Sequence, residues 1–200
     1  MGYCDAMTQP DWPARVAATV ASQVKRLRED RKISAQQLAD ACAGLGYPLQ
    51  RSVLANFESG RRQTVTLADV YVLAQALGVP PLALMVPVGV AESVEILPGS
   101  DVPIVEAMKW LAGEEALPGS DWDGASRELS AISSYKSHAT LVENWNKYRH
   151  LARHAENAEE VRRNEELAEM MRGELRWLRE LMKNRKMTPP ALPTEMPPVD

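Results

Sequence analysis

No proline stands between Pro118 and Pro189, and from Ser126 to Met187 the only glycine is Gly173. A stretch without the two residues that end helices is free to run as helix. Leu129, Ile132 and Tyr135 begin an apolar stripe that Leu141, Trp145, Tyr148 and Ala155 continue. Val161, Asn164, Ala168, Met171, Leu175, Leu178 and Met182 then recur at alternating spacings of three and four. That is a heptad seam with a polar residue, Asn164, at a core position, where it can fix register. One unbroken helix over this span would reach about 90 Å at 1.5 Å per residue. Alone it cannot bury its stripe, so either a second copy or a folded-back hairpin must cover it. The expectation is a homodimer joined through Leu141, Trp145, Tyr148, Val161, Ala168, Met171, Leu175, Leu178 and Met182. The alternative is a hairpin within one chain, bent near the polar stretch 156–166.

Elsewhere proline punctuates the 200-residue chain closely, with Pro10, Pro13, Pro48, Pro80, Pro81, Pro87, Pro98 and Pro103 ahead of Pro118. Short elements are expected there. Residues 188–200 hold five prolines and read as a disordered, extended tail. Residues 1–10 read as a flexible N-terminus. Leu-Pro-Gly-Ser-Asp occurs at 97–101 and again at 117–121. Two copies are too few for a solenoid, and each reads as a turn leading to a helix cap, flanking one short helix from Val102 to Ala112.

A formal charge of −4 argues at first sight against a nucleic-acid protein. By segment the sum dissolves. Residues 14–62 carry 9 bases against 4 acids, residues 63–124 carry Lys109 against 9 acids, and residues 161–187 carry 8 bases against 5 acids. A basic head, an acidic connector and a basic distal helix are hidden in the average. Cys4 and Cys42 are too few for a disulfide framework or a four-cysteine zinc site and suit a reducing cytoplasm. No apolar run approaches the roughly 20 residues that span a bilayer, and the start Met1–Asp5 lacks signal-peptide character.

The basic head reads as five helices. Asp11 can cap the first, with Pro13 tolerated in its opening turn and Val16, Val20, Val24 and Leu27 on one face. Lys25, Arg26, Arg28, Arg31 and Lys32 crowd its end, where cations suit the helix dipole. Ser34-Ala-Gln-Gln37 is a capping box opening a second helix with Leu38, Ala39 and Cys42 inward. After a turn at Gly44, Gly46 and Pro48, Gln50 or Arg51 opens a third helix with Val53, Leu54 and Phe57 buried and Gly60 at its end. Thr66-Leu-Ala-Asp69 is a second capping box for Val70–Leu77, and Pro80-Pro81 precede a fifth helix, Leu82–Met85.

Three segments in this order, Ile33-Ser-Ala-Gln-Gln-Leu-Ala, Arg51-Ser-Val-Leu-Ala-Asn-Phe-Glu-Ser-Gly60 and Leu67-Ala-Asp-Val-Tyr-Val-Leu-Ala-Gln-Ala-Leu-Gly-Val-Pro80, resemble the lambda-repressor-like (Xre) helix-turn-helix regulators. The resemblance runs from Val16 to Met85. The turn Ala43-Gly-Leu-Gly-Tyr-Pro-Leu49 is longer than usual and is similar to a variant of actinobacterial and actinophage members. The resemblance implies a helix-turn-helix DNA-binding domain over 11–86; with the charge, proline and stripe patterns above, the chain reads as all-α, continuing as an acidic connector with one short helix over 87–124, a long helix or hairpin for oligomerisation over 125–187, then the tail.

It also implies that the third helix enters the major groove. With Leu54 and Phe57 inward, Gln50, Arg51, Ser52, Ala55 and Asn56 face the bases. Arg51 leads, since guanidinium pairs bidentately with guanine O6 and N7, while Asn56 suits adenine. For Gln50 and Ser52 helix capping is an equal alternative. Ser34, Gln36, Arg61 and Arg62 are the phosphate candidates, Ser34 with the amides that open its helix. The family often carries Gln where Ala35 stands. Glu58 reads as a structural residue at the helix end.

Other chemistry is not expected, and no cofactor is implied. No Gly-x-x-x-x-Gly-Lys or Gly-x-Gly-x-x-Gly loop occurs. His150 and His154 have metal-binding spacing but no evident third ligand. Ala112-Gly113 is similar to the cleavage dipeptide of self-cleaving phage repressors, yet a helical pattern follows in place of a peptidase. The connector, with Met85–Val90, Ile96 and Trp110, can pack on the fifth helix, hold a small ligand or meet a protein partner. Together these readings give a cytoplasmic, nucleoid-associated repressor of an operator in double-stranded DNA, with temperate-phage immunity as one setting. The alternative is an antitoxin or other interaction module that uses the C-terminal helices.

Overall fold

The computed structural model describes residues 11–120 and 127–199, and of 127–129 the backbone only. The N-terminus over 1–10, the end of the acidic connector at 121–124 and the side chain of Leu129 lie outside it. The chain is mostly helical and divides into two compact units, 1–112 and 113–200.

In the first unit α1 (Trp12–Asp30) opens on Asp11, whose carboxylate accepts the Ala14 N–H at 3.2 Å. Its buried stripe is Ala17, Val20, Ala21 and Val24, leaving Val16 only half-buried. α1 closes with Lys32 in the left-handed region at φ 56°, the Ile33 N–H reaching back to the Arg28 carbonyl at 3.2 Å. α2 (Ala35–Gly44) carries the Ser34/Gln37 capping box, with both bonds made. Gly46, at φ 83°, turns the chain out of it toward α3 (Arg51–Glu58). α4 (Leu67–Leu77) carries the Thr66/Asp69 box, and α5 (Leu82–Met85) follows. One core joins these five helices around Val20, Val24, Leu38, Cys42, Leu54, Phe57, Leu73, Leu77 and Leu84. Cys42 is free and fully buried, and burial pushes its thiol pKa up.

The connector differs from the expectation of one helix from Val102 to Ala112. β1 (Ser93–Leu97) and β2 (Ser100–Pro103) form an antiparallel hairpin with a register shift between Glu95 and Leu97, and α6 (Ile104–Leu111) starts only after it. Leu97-Pro-Gly-Ser100 is therefore a strand-to-strand turn, Gly99 supplying φ 72°. Val102 pairs with Val94 and is buried in the sheet. Arg15 on α1 holds Glu95 on β1 through two bonds of 2.6 and 2.7 Å, and Glu95 also accepts the Gly99 N–H at 2.9 Å. Arg15 and that N–H hold the Glu95 carboxyl at about 2.

In the second unit α7 (Arg127–Arg153) and α8 (Ala158–Asn184) pack as a hairpin. The bend lies at 154–157, overlapping the start of the polar stretch, and Asn157 caps α8 by accepting the Glu160 N–H at 2.9 Å. Most of the apolar stripe is covered within the chain, while Ile132 and Tyr135 near its start stay exposed. Trp145, Ala168, Leu175, Leu178 and Met182 are buried, with Leu141, Tyr148 and Met171 half-buried beside them and Val161 half-buried at the start of α8. Asn164 is buried at 7% exposure.

The tail was expected to be disordered; its described residues, 188–199, form no helix or strand but lie against this hairpin. Met196 and Val199 are buried against Trp145 and Leu175, and Leu192 packs beside them. Tyr135 donates to the Thr188 carbonyl, Arg179 to Pro190 at 2.7 Å and Arg176 to Val199 at 3.3 Å. Proline stiffness explains how an extended segment stays down: its backbone loses little entropy on docking, and its carbonyls meet arginines that the sequence pattern could not assign to it.

Candidate nucleic-acid interface

α3 is amphipathic over eight residues. Leu54 and Phe57 are each 2% exposed and face the core, and this fixes which side chains look outward. Arg51, Ser52, Ala55 and Asn56 are exposed, as is Gln50 at the N-cap position. Gln50 makes no side-chain capping bond, so its amide is not used by the helix end. Arg51 is exposed and in no ion pair with the described residues. Each of the five residues expected to face the bases is thus exposed, four of them on α3 and Gln50 just ahead of it.

The four phosphate candidates are placed differently from one another. Ser34 accepts the Gln37 N–H on its hydroxyl oxygen at 3.2 Å, and its hydroxyl proton remains available to donate. Gln36 is exposed, but its amide donates to Asp40 on the same helix at 2.8 Å. Arg61 is exposed and in no ion pair with the described residues. Arg62 is half-buried: its Nη2 donates to Asp69 at 2.7 Å and its guanidinium lies 5.9 Å from the centre of the Phe57 ring. Part of Arg62's bonding capacity therefore goes to the fold, which a count of basic residues does not reveal.

Two charge pairs stand at the end of α3 and just beyond it. Arg28, near the end of α1, clasps Glu58 at the end of α3 through bonds of 2.7 Å each, with side chains only 13% and 9% exposed. Its remaining nitrogen donates to the Ile33 carbonyl at 3.0 Å, and the Glu58 bonds, outweighing the cost of burial, hold the Arg28 pKa above its ordinary value. Glu58 is thus tied into the fold through a partner 30 residues away. The second pair is Arg62 with Asp69. Neither Tyr47 nor Asp69 is a site residue in the sequence reading. The signal for Asp69 was its place in the capping box; its further partners come from tertiary structure.

Among the described residues no group of three or more His, Cys, Asp and Glu can hold a metal ion. His150 and His154 stack at 4.2 Å, with His154 Nδ1 2.9 Å from the His150 carbonyl oxygen. Among the described residues no helix is long and apolar enough to cross a membrane.

No curated protein and no solved structure matches the chain. Residues 20–85, from within α1 to the end of α5, match the family model of a helix-turn-helix domain, and such a domain suggests a DNA-binding regulator.

Proposed function

We propose that this chain is a sequence-specific double-stranded DNA-binding repressor that reads base edges through α3 and acts as a homodimer, with temperate-phage immunity as its setting. The observation that carries the reading is the outward face of α3, where Gln50, Arg51, Ser52, Ala55 and Asn56 are exposed while Leu54 and Phe57 are locked in the core. Arg51 pairs with a guanine and Asn56 with an adenine. Ser34, Gln36, Arg61 and Arg62 take the flanking phosphates.

Selection of bound duplexes from a random pool tests the reading, with one enriched sequence as the expected result and no enrichment as the result that overturns it. Arg51→Ala should then cost about 1–3 kcal/mol on the selected duplex and relax specificity at one G·C pair. Equal losses on selected and random duplexes would sink that assignment. Arg61→Ala should weaken all sequences alike and lower the salt slope by about one.

Two reading helices about 34 Å apart would meet a palindromic site. A twofold-symmetric footprint with a dimeric mass in light scattering supports the homodimer. An asymmetric footprint with a monomeric mass overturns it. The hairpin already covers the seam in one chain, so a dimer either opens the hairpin or uses side chains it leaves exposed, such as Met170 and Trp177.

A further inference from the structure

Asp69 is 3% exposed and stands where three segments of the first unit meet. Its role in the capping box accounts for only part of its bonding. The box needs Asp69 to accept the Thr66 N–H, which it does at 3.0 Å, while its own N–H goes to the Thr66 hydroxyl at 3.1 Å. Two more donors reach the same carboxylate: Tyr47 Oη on Oδ1 at 3.2 Å and Arg62 Nη2 on Oδ2 at 2.7 Å. Burial alone would push this carboxyl up. The Thr66 bonds, Arg62 and Tyr47 more than offset that and hold it below the ordinary aspartate range.

The positions of the two extra donors matter more than their number. Tyr47 lies in the irregular connection that leads from α2 into α3, and Arg62 lies just beyond the end of α3. The Tyr47 N–H closes α2 on the Cys42 carbonyl at 3.1 Å, and the Arg62 N–H reaches back to the Asn56 carbonyl at 3.0 Å. One carboxylate therefore gathers the chain entering α3 and the chain leaving it. A six-residue connection with no side-chain cap at Gln50 would otherwise leave the start of α3 held mainly by Leu54 and Leu49.

We propose that Asp69 is a positioning residue that sets the tilt of α3 by holding Tyr47 and Arg62 on one buried carboxylate. It touches no base. Its effect on recognition rests on the reading of α3 given above, whereas its effect on α3 does not.

Asp69→Asn is the informative variant, because an asparagine can still accept the Thr66 N–H and keep the cap. Thr66 and Arg62 share Oδ2, so an asparagine oxygen there keeps both bonds but loses the charge that draws Arg62, while the amide nitrogen at the Oδ1 position, a donor only, cannot accept from Tyr47. In the full chain, amide exchange at residues 51–58 should quicken about tenfold in Asp69→Asn, with α1 unchanged. Tyr47→Phe, which removes one hydroxyl, should quicken it about threefold, and should add nothing in the Asp69→Asn background. On the duplex selected by the wild type, Tyr47→Phe should lose affinity about threefold with random-duplex binding and salt slope unchanged. Unaltered exchange in α3 for both variants, or full additivity of the two, overturns the positioning role even where wild-type DNA binding is specific. Failure to select any duplex overturns the DNA reading, and the exchange result then decides the positioning role alone.

Discussion

The two units put their partly buried arginines to different use. In the first, Asp69, Glu58 and Gln23 meet arginines whose geometry fits them: Arg62 and Arg28 as above, and Arg26, which donates twice to the Gln23 amide oxygen at 2.8 and 3.1 Å. In the second, Arg176 and Arg179 donate to the backbone carbonyls of Val199 and Pro190 in the tail, and Arg179 also reaches His138, which is 2% exposed. The contrast follows from architecture. Five short helices meeting at several angles need long-range pairs to fix one arrangement. Two antiparallel helices are set largely by their apolar seam, with the tail as a third strip against it.

The largest test of that contrast removes packing from each side. Phe57 belongs to the core that all five helices share, so Phe57→Ala should cost about 3–5 kcal/mol of the first unit's stability. Truncation after Met187 strips Met196 and Val199 from Trp145 and Leu175, and should cost the second unit about 3–6 kcal/mol at 1.5–3 kcal/mol per buried side chain. Exchange protection read separately in α1 and α8 checks both. Loss spread equally over the two units in either variant would show that they do not unfold separately.

The pH response should divide the units next. Arg179 Nη1 lies 3.2 Å from His138 Nε2, and a guanidinium only donates, so that ring nitrogen is the acceptor of a neutral histidine. Burial, then the Arg179 charge, lowers the His138 pKa below its ordinary 6.5. The unfolded chain therefore binds the proton more readily than the folded one. Stability of the second unit is full above about pH 6.5 and is lost as pH falls through the folded value. In the first unit Glu95 at about 2 and Asp69, also lowered, place the loss below the ordinary carboxylate range. Denaturant unfolding at pH 7 and pH 5 should weaken the second unit only, and His138→Gln should remove that step. An equal drop in both units would break the comparison.

What the sequence disclosed followed the same division between local and distant. Both capping boxes, the Asp11 cap, the burial of Leu54 and Phe57 and the turn at Gly60 are decided within four residues, and they are legible. Hence the open face of α3 was legible too. The β-hairpin was less so: Val94, Ile96 and Val102 alternate around Pro98-Gly99, but the same dipeptide also precedes helices. The pairs Arg28–Glu58 and Arg15–Glu95 span 30 and 80 residues and leave no periodicity. The seam residues were visible as a stripe, but a stripe does not state whether its cover comes from the same chain.

The smallest effect is one the two units share. α1 ends with Lys32 at φ 56° and α8 with Lys186 at φ 58°, and in each the following N–H bonds a carbonyl five residues back, Ile33 to Arg28 and Met187 to Met182. Both are the six-to-one closure in which glycine is usual. A lysine there carries a left-handed strain of roughly 1–2 kcal/mol. Glycine would relieve it, but loses about 0.5–1 kcal/mol through its freer unfolded chain and a few tenths through the missing cation at the helix end. Lys32→Gly and Lys186→Gly should therefore each stabilise their own unit by about 0.5 kcal/mol, measured by denaturant unfolding. Because the closure is local, the gains should match although the surroundings differ. A gain confined to one of them would mean that tertiary contacts, rather than backbone strain, decide how that helix ends.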